Sequence, residues 1–407
     1  MSDNSLVSIV IPVYNGSNYL SSAIESALNQ TYSRCEIVVI NDGSNDNGLT
    51  EKIARSYGKK IKYVEQENGG VSSALNHGIR VMNGDYFTWL SHDDMFFPRK
   101  IEAQLKKIHR SGVNDGIAQS NYSFTDVRTG SKVTTVFHKE YPMDVLKNSF
   151  FCFLWCETHF SNLIFHRSHF ERIGLFDEKN RTAQDQDMQF RLLRGQQSVF
   201  VPESLSFFRM HPKSGTNQQR RLLFRENCRS YLSMLRTIPY EEFRAVYGSA
   251  STIYCHITAI LLSMEAYGAE LTEAENLLSE AINHENDEVG LRVETMEFAN
   301  LRKHRLIIFG TGQFGLRLRY ELAARGLAPE AFVDNDTSKE GMNILGLPCY
   351  LPDYLRHIDN ACVIVGIKMY ADAVRQVRDL GIKKIYTKNS MDVMFWQNPP
   401  MMLPNVK

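Results

Sequence analysis

Acidic residues recur in this chain wherever an apolar run stops. Asp42 closes VVINDGS, Asp93 and Asp94 close WLSHDD, and Asp185 and Asp187 stand in QDQDMQF, ahead of Arg209 and His211. An ionised carboxylate only accepts hydrogen bonds, so a lone one suits an N–H on a ligand. Two neighbouring carboxylates can hold Mg2+ or Mn2+ with phosphate oxygens, and the ion offsets charge on a departing diphosphate. A carboxylate within reach of a hydroxyl can take its proton as the oxygen attacks. Arginine pairs bidentately with phosphate. A second signal lies far away, at Gly310-Thr311-Gly312-Gln313-Phe314-Gly315. This is a G-x-G-x-x-G with an acid, Asp334, nineteen positions after its last glycine, close to the dinucleotide spacing.

The elements that must carry these residues are legible as apolar runs. Val7 to Val13 reads as a strand buried on both faces, ending in Pro12-Val13-Tyr14-Asn15. Ser17 is placed to cap a helix bearing Leu20, Ile24, Ala27 and Leu28. Strands are predicted at 36–40, 61–64 and 86–90, the second of these leading to Asn68-Gly69-Gly70. Helices are predicted at 72–82 and after Pro98. Repeated β-α-β-α means a helix-covered, parallel sheet, whose ligands lie beyond the carboxyl ends of its strands. The polar clusters collect there. From about 217 to 303 the pattern turns helical, with apolar stripes at Leu222, Leu223, Tyr231, Leu232 and Leu235, then Ile257, Ile260 and Leu261, then Ala274, Leu277, Leu278 and Ile282. At 304 a strand–glycine loop–helix–strand unit begins, and phosphate at that helix N-terminus is physically reasonable.

Composition narrows the class. At 407 residues, two or three domains are expected, and 43% hydrophobic with 23% charged residues is ordinary for packed cores. Lys+Arg and Asp+Glu both number 46, so a nucleic-acid footprint is absent. The longest basic cluster, Arg220 to Arg229, is broken by Glu226 and reads as a solvated helix face. Met1 to Ser8 lacks a cationic leader, and no window approaches the roughly 18 apolar residues of a membrane span. A cytoplasmic protein is expected, with peripheral contact at the inner face of the membrane compatible. Seven scattered cysteines read as reduced thiols. Cys152, Cys156 and His159 can be drawn as a metal set, but Phe150, Phe151, Phe153 and Trp155 around them fit a buried helix better. The Met-, Phe- and Trp-rich tail packs on its own domain or touches a partner or membrane.

VSIVIPVYN, VVINDGS, NGGVSSALNHGI, WLSHDDMFFP, IGLFDE and QDQDMQFRL occur in that order over residues 6–216, and together they resemble the inverting family 2 glycosyltransferases. The resemblance implies an α/β chain: a GT-A domain with a mixed or parallel sheet at 1–216, a helical connecting region at 217–303, a smaller Rossmann-like domain at 304–390 and a tail at 391–407. It implies a nucleotide-sugar donor, with a UDP-sugar the default, and a glycan or lipid-linked glycan hydroxyl as acceptor in surface polysaccharide assembly. Asp42 matches the position that accepts the base imide N–H. Pro12, Tyr14, Asn15, Ser44, Asn68, Gly69 and Asn76 fall in donor-site motifs. Asp93 and Asp94 match the Mn2+ or Mg2+ motif, with Asp93 also a substrate contact, although Ser91 stands where another Asp is common. Asp185 matches the general base, although Gln184 replaces the usual Glu; Asp187 is the reserve. Arg209 and His211, with Ser214 and Thr216, resemble a loop closing over the pyrophosphate.

The C-terminal unit resembles the nucleotide-binding part of some bacterial sugar acyltransferases, with Gly310, Gly312, Gly315 and Asp334 as a second nucleotide site. Two other readings stay open. One is an NAD-dependent oxidoreductase working through that unit, which leaves the N-terminal motifs unused. The other is a non-catalytic glycan-binding or scaffold protein, for which Ser91 and Gln184 are the arguments.

Overall fold

The structure is a computed structural model that describes residues 4–113, 115–141, 143–147, 159–212, 214, 218–247, 249–264, 269–289, 295–367 and 370–404. The chain divides into two compact units, Met1–Glu226 and Asn227–Lys407.

The first unit is built on β1 (Val7–Val13), β2 (Cys35–Asp42), β3 (Lys62–Gln66), β4 (Tyr86–Trp89), β5 (Met95–Phe96), β6 (Ile117–Asp126), β7 (Lys132–Thr134), β8 (Ile164–His166) and β9 (Ser198–Met210). They form one sheet in the order β3-β2-β1-β4-β8-β6-β9-β5, with β7 paired to β6. Every residue of β1 is buried, as its unbroken apolar run requires. On one face Ile9, Ile11 and Val13 pack with Leu20, Ala23, Ile24, Ile101 and Leu105. On the other, Gly78 of the Val71–Val81 helix faces Val10 so closely that a Cβ there would lie 2.4 Å from its Cγ1.

Only part of the sheet is parallel. β1, β2, β3 and β4 pair in parallel, which is the portion made by strand–helix–strand crossovers. β8 enters antiparallel to both β4 and β6, and β5 antiparallel to β9. β6 and β9 pair in parallel as well, so the sheet is mixed, and the strand–helix alternation alone predicts just the β3-β2-β1-β4 portion. Ser17 does not cap the first helix. That helix is Leu20–Leu28 with Tyr19 at its N-cap position and no capping side chain, because the Gly16 carbonyl already accepts the Tyr19 and Leu20 N–H groups.

The second unit holds β10 (Arg305–Phe309), β11 (Ala331–Val333), β12 (Asn343–Ile344), β13 (Leu347–Tyr350), β14 (Ala361–Val365) and β15 (Lys384–Thr387), ordered β12-β13-β11-β10-β14-β15. All neighbours are parallel except the β12–β13 hairpin. Alternate residues of β10 feed two cores: Leu306 and Ile308 pack with Leu318, Leu322 and Phe395, and Ile307 and Phe309 with Val333, Val363 and Val377. The helices Ala250–Ser263 and Ala269–Val289 belong to this unit. His256 of the former meets the buried Glu321 of the Gln313–Ala324 helix at 2.8 Å. The Lys388–Gln397 helix buries Met391, Met394 and Phe395 in the same unit.

Candidate active site

The loops after β1, β2 and β3 are laced together by side chains. The Asn15 N–H donates to Ser44 Oγ at 2.9 Å, and Asn15 and Asn45 exchange two further bonds. Asn15 adopts φ 51°, a left-handed conformation that asparagine tolerates. Asn41 braces the turn here, its Oδ1 accepting the N–H of Ser44 three residues on at 3.1 Å. Asp42 is 3% exposed and turned toward the third loop. Its Oδ1 accepts from Gln66 Nε2 at 2.7 Å and Gly69 N–H at 2.9 Å, its Oδ2 from Gly70 N–H at 2.8 Å. A carboxylate has about four acceptor sites, so these three bonds leave one. Asn68 Nδ2 donates to the Asp42 carbonyl. Gly43 must be glycine: φ is +66°, and a Cβ would lie 2.7 Å from the Asn68 backbone nitrogen. Pro12 is buried in β1, whereas Tyr14 just beyond it is 44% exposed.

A second cluster forms where β4 and β9 end. The Arg209 N–H donates to Asp94 Oδ1 at 3.0 Å, and its guanidinium donates to the Asp93 carbonyl. His211 Nε2 meets Asp93 Oδ2 at 2.9 Å. The β5–β9 pairing, Met95 opposite Phe207, brings these segments into register. Tyr19 lies under both, 4.8 Å from the Arg209 guanidinium and 5.4 Å from the His211 ring. Gly16 joins the two clusters, because a Cβ there would stand 2.5 Å from His92 Cδ2. Burial and then the Asp93 charge push the Asp94 pKa well above the ordinary carboxylate range, against the Arg209 N–H and charge. Burial lowers that of His92.

Asp185 lies in the first turn of the Gln184–Leu193 helix, and its Oδ1 accepts the Gln186 N–H at 2.9 Å. It keeps an exposed edge, yet burial raises its pKa. Among the described residues no hydrogen bond or ion pair joins it to Asp93 or Asp94. Asp187 is engaged differently, in an ion pair with Arg191 at 2.6 Å, while Arg191 also donates to the Ile173 and Leu175 carbonyls.

Asn76 departs from the expectation of a ligand contact. It is 2% exposed, and its amide clamps the following loop: Nδ2 donates to the Phe176 carbonyl and Glu178 Oε1, and Oδ1 accepts the Phe176 N–H. Glu226 departs from the solvated face expected of it. It is 6% exposed and accepts from Arg181, Thr182 and Ala183, at the entrance to the Asp185 helix. Neither Tyr19 nor Glu226 has a local signal in the sequence, since each acts through residues brought in from elsewhere.

Among the described residues no group of three or more His, Cys, Asp or Glu gathers as a closed metal cage. An ion bridged to phosphates needs only one or two carboxylates, a number that Asp93 and Asp94 could provide. Cys35, Cys228, Cys255, Cys349 and Cys362 are free thiols. Cys152, Cys156, the aromatic run 150–155 and Thr216 lie outside the described residues.

In the second unit the glycine loop follows β10. Gly310 has φ +101°, and a Cβ on Gly315 would lie 1.9 Å from the Gly310 carbonyl oxygen, so this helix and loop need both glycines. Around Gly312 a Cβ would meet nothing within 4 Å. Asp334 at the end of β11 turns to the loop itself, accepting from the Thr311 N–H at 2.8 Å and from its hydroxyl. Lys339 Nζ donates to Thr311 Oγ1 at 2.8 Å and lies 3.4 Å from Asp334 Oδ2. Burial raises the Asp334 pKa, but these hydrogen bonds outweigh it and hold the carboxyl below its ordinary value.

No helix among the described residues is long and apolar enough to cross a membrane. Residues 8–174 match the profile of Glycosyl transferase family 2. An uncharacterized glycosyltransferase of Rickettsia felis is 35% identical over 310 residues, 74% of this chain and 51% of its own. Another, RP339 of Rickettsia prowazekii, is 40% identical over 262 residues, 64% of this chain and 81% of its own. A solved structure of S. aureus TarS 1-349 in complex with UDP-GlcNAc aligns over 68% of this chain and 81% of its own, at 17% identity and a TM-score of 0.49, too loose a likeness to bear on the site. The chain spans about half the length of several curated relatives that it matches. With its strand-end clusters, its profile match and its identity to RP339 across most of that relative, the chain belongs to glycosyl transferase family 2.

Proposed function

We propose that the chain is an inverting glycosyltransferase. It moves a sugar from a nucleoside-diphosphate sugar, with UDP as the default nucleotide, onto a hydroxyl of a glycan or lipid-linked glycan in surface polysaccharide synthesis. The observation that carries the reading is the convergence of Asp93, Asp94, Arg209 and His211 at the ends of β4 and β9, joined through Gly16 to the Asn15–Ser44–Asp42 loops. Such a cluster suits a diphosphate. The Arg209 guanidinium pairs with phosphate oxygens. The remaining acceptor site of Asp42 takes the base N–H, with Tyr14, Asn68 and Gly69 lining the nucleotide. Asp93 and Asp94 would hold Mn2+ or Mg2+, which would supply Lewis-acid stabilisation of the leaving diphosphate.

Asp185 is the general base in this reading. Its carboxylate takes the acceptor hydroxyl proton as that oxygen forms a bond to the anomeric carbon. The bond from that carbon to the diphosphate oxygen breaks on the opposite face, and the nucleoside diphosphate departs with the electron pair. A base needs a pKa nearer the working pH than an ordinary carboxylate has, and the burial of Asp185 acts in that direction. The Gly310–Gly315 loop, with Lys339 and Thr311 beside it, we assign to a second nucleotide in the same chain.

Release of free nucleoside diphosphate over a panel of donors, with and without Mn2+, tests the reading. Donor- and acceptor-dependent release supports transfer. No release from any UDP-, GDP- or TDP-sugar makes the protein a glycan-binding or scaffold protein instead.

A further inference from the structure

The Gln184–Leu193 helix begins without a cap of its own. Ala183 occupies the N-cap position and has no side-chain acceptor, although the first N–H groups of any helix lack intrahelical partners. A distant residue instead holds the N–H of that N-cap residue and the two amides before it. Glu226 Oε1 accepts the Arg181 N–H at 3.1 Å, and Oε2 accepts the Thr182 N–H at 2.8 Å, the Thr182 hydroxyl at 2.6 Å and the Ala183 N–H at 3.0 Å. One carboxylate thus gathers three successive amides and a hydroxyl immediately before Asp185. Burial pushes the Glu226 pKa up, but these bonds together bring it below its usual value, so the group is a carboxylate at neutral pH. Negative charge at a helix N-terminus is also favourable to the helix dipole.

Asp185 itself has a thin hold on its surroundings. Its carboxylate accepts the N–H of the very next residue, Gln186, so the direction in which it points follows the path of the backbone through 181–184. That path is the one Glu226 fixes. We infer that Glu226 is a positioning residue for Asp185, setting where the general base stands relative to the acceptor hydroxyl without touching either substrate. The inference rests on the reading of Asp185 as base. Glu226 lies beyond residues 8–174, the segment matched by the family profile, and 43 to 45 positions from the amides it holds. A displacement of about 1 Å in a catalytic group costs on the order of 100-fold.

Four proteins separate the outcomes: wild type, Glu226→Gln, Asp185→Asn and the double variant, each assayed for transfer kcat, donor KM and UDP affinity. Glutamine keeps one carbonyl acceptor but turns an N–H₂ toward donors, so the clamp opens while the side-chain volume stays. The expected result is a kcat lower by roughly 10- to 100-fold in Glu226→Gln, with donor KM and UDP affinity within about twofold of wild type. In the double variant kcat should equal that of Asp185→Asn, because the two residues act in series. The inference is overturned if Glu226→Gln keeps wild-type kcat, if it loses UDP affinity in step with kcat, or if the double variant falls well below Asp185→Asn. Wild-type transfer in Asp185→Asn alone would overturn the base reading and this inference with it, and is read separately from the Glu226 result. Should Glu226→Gln fail to fold, Glu226→Asp serves in its place. It keeps the charge, withdraws it by one methylene, and must give the same split between kcat and UDP affinity.

Discussion

The Asp94 carboxylate accepts the backbone N–H of Arg209 at 3.0 Å, across 115 positions of sequence. This bond ties the end of β4 to the end of β9, and it uses one oxygen of a 9% exposed carboxylate that burial and the Asp93 charge disfavour and the Arg209 charge favours. Asp94→Ala should lower donor turnover by about 10²–10³, the scale of losing one charge-stabilising group. Circular dichroism should be unchanged. Turnover in wild type should also vanish after dialysis against EDTA and return with Mn2+. Undiminished turnover in EDTA would remove the metal from the assignment.

Asp185→Asn should cut transfer to a small residual rate and leave UDP affinity nearly unchanged, because a base acts on the acceptor. The pH dependence has a definite sign. A base works deprotonated, so kcat/KM falls as pH falls through the Asp185 pKa. Burial raises that pKa, so the acid limb should lie above the ordinary Asp value of about 3.9. Calorimetry showing UDP binding lost with activity would move Asp185 to the donor site and direct attention to Asp187, once freed from Arg191.

Asn76→Asp should destabilise the protein more than Asn76→Ala. Alanine removes two buried bonds and one part-buried bond, at a cost of about 2–3 kcal/mol. Aspartate places a carboxylate against the Phe176 carbonyl and Glu178, where the amide now donates. Urea unfolding measures both. If Asn76→Ala weakens UDP binding without loss of stability, the residue contacts the donor after all.

Lys100 supplies a pH test of the core. It is fully buried, donates to Thr88 Oγ1 and Gln104 Oε1, and has its pKa pushed down by burial to about 7. In the unfolded chain a lysine titrates near 10.4, so ionising Lys100 penalises the folded state. Folded stability contributed by the neutral amine is present at high pH and declines as pH falls from about 10.4 toward 7, then levels off. Lys100→Met lacks this dependence. The melting temperature of the variant, relative to wild type, should therefore rise as pH is lowered from 10 to 7. A constant difference across that range would show that Lys100 is not buried as a neutral amine.

What the sequence disclosed follows a physical division. β1 was legible because a strand buried on both faces is an unbroken apolar run, and the positions of Asp42, Asp93 and Asp94 because each stands at or just past the end of such a run. The links that make a site were not. His211 reaches Asp93 across 118 positions and Glu226 reaches Thr182 across 44, and neither distance leaves a periodic trace. Glu226 sits in a basic helix that reads as solvated, and only burial reveals its use. Asn76 shows the reverse: a polar residue in a recognisable motif that turns inward and holds a loop. The insertion of β8 between β4 and β6 was equally hidden, because three-residue strands carry too little pattern to assign a partner.

The glycine loop of the second unit offers the last test, and its three glycines separate fold from ligand. Gly315→Val has no room, because its Cβ would fall 1.9 Å from a backbone oxygen that cannot rotate away. That variant should lose the second unit outright, a cost above about 4 kcal/mol. Gly312 has φ −75°, which any residue adopts, and open space where a side chain would go. Gly312→Val should therefore fold with a loss of about 1 kcal/mol, the price of a poor N-cap residue. Because the space beside Gly312 is where a phosphate would approach the helix N-terminus, the same variant should lose whatever nucleotide the loop holds. NADH fluorescence and a second equivalent of UDP-sugar in calorimetry, on the intact protein, are the readouts. Binding in wild type that disappears in Gly312→Val, with donor turnover retained, assigns the loop to a nucleotide apart from the catalytic one. A wild-type protein that binds neither at millimolar concentration refutes that assignment, and the Asp334–Thr311–Lys339 contacts then serve only to hold the loop closed on itself.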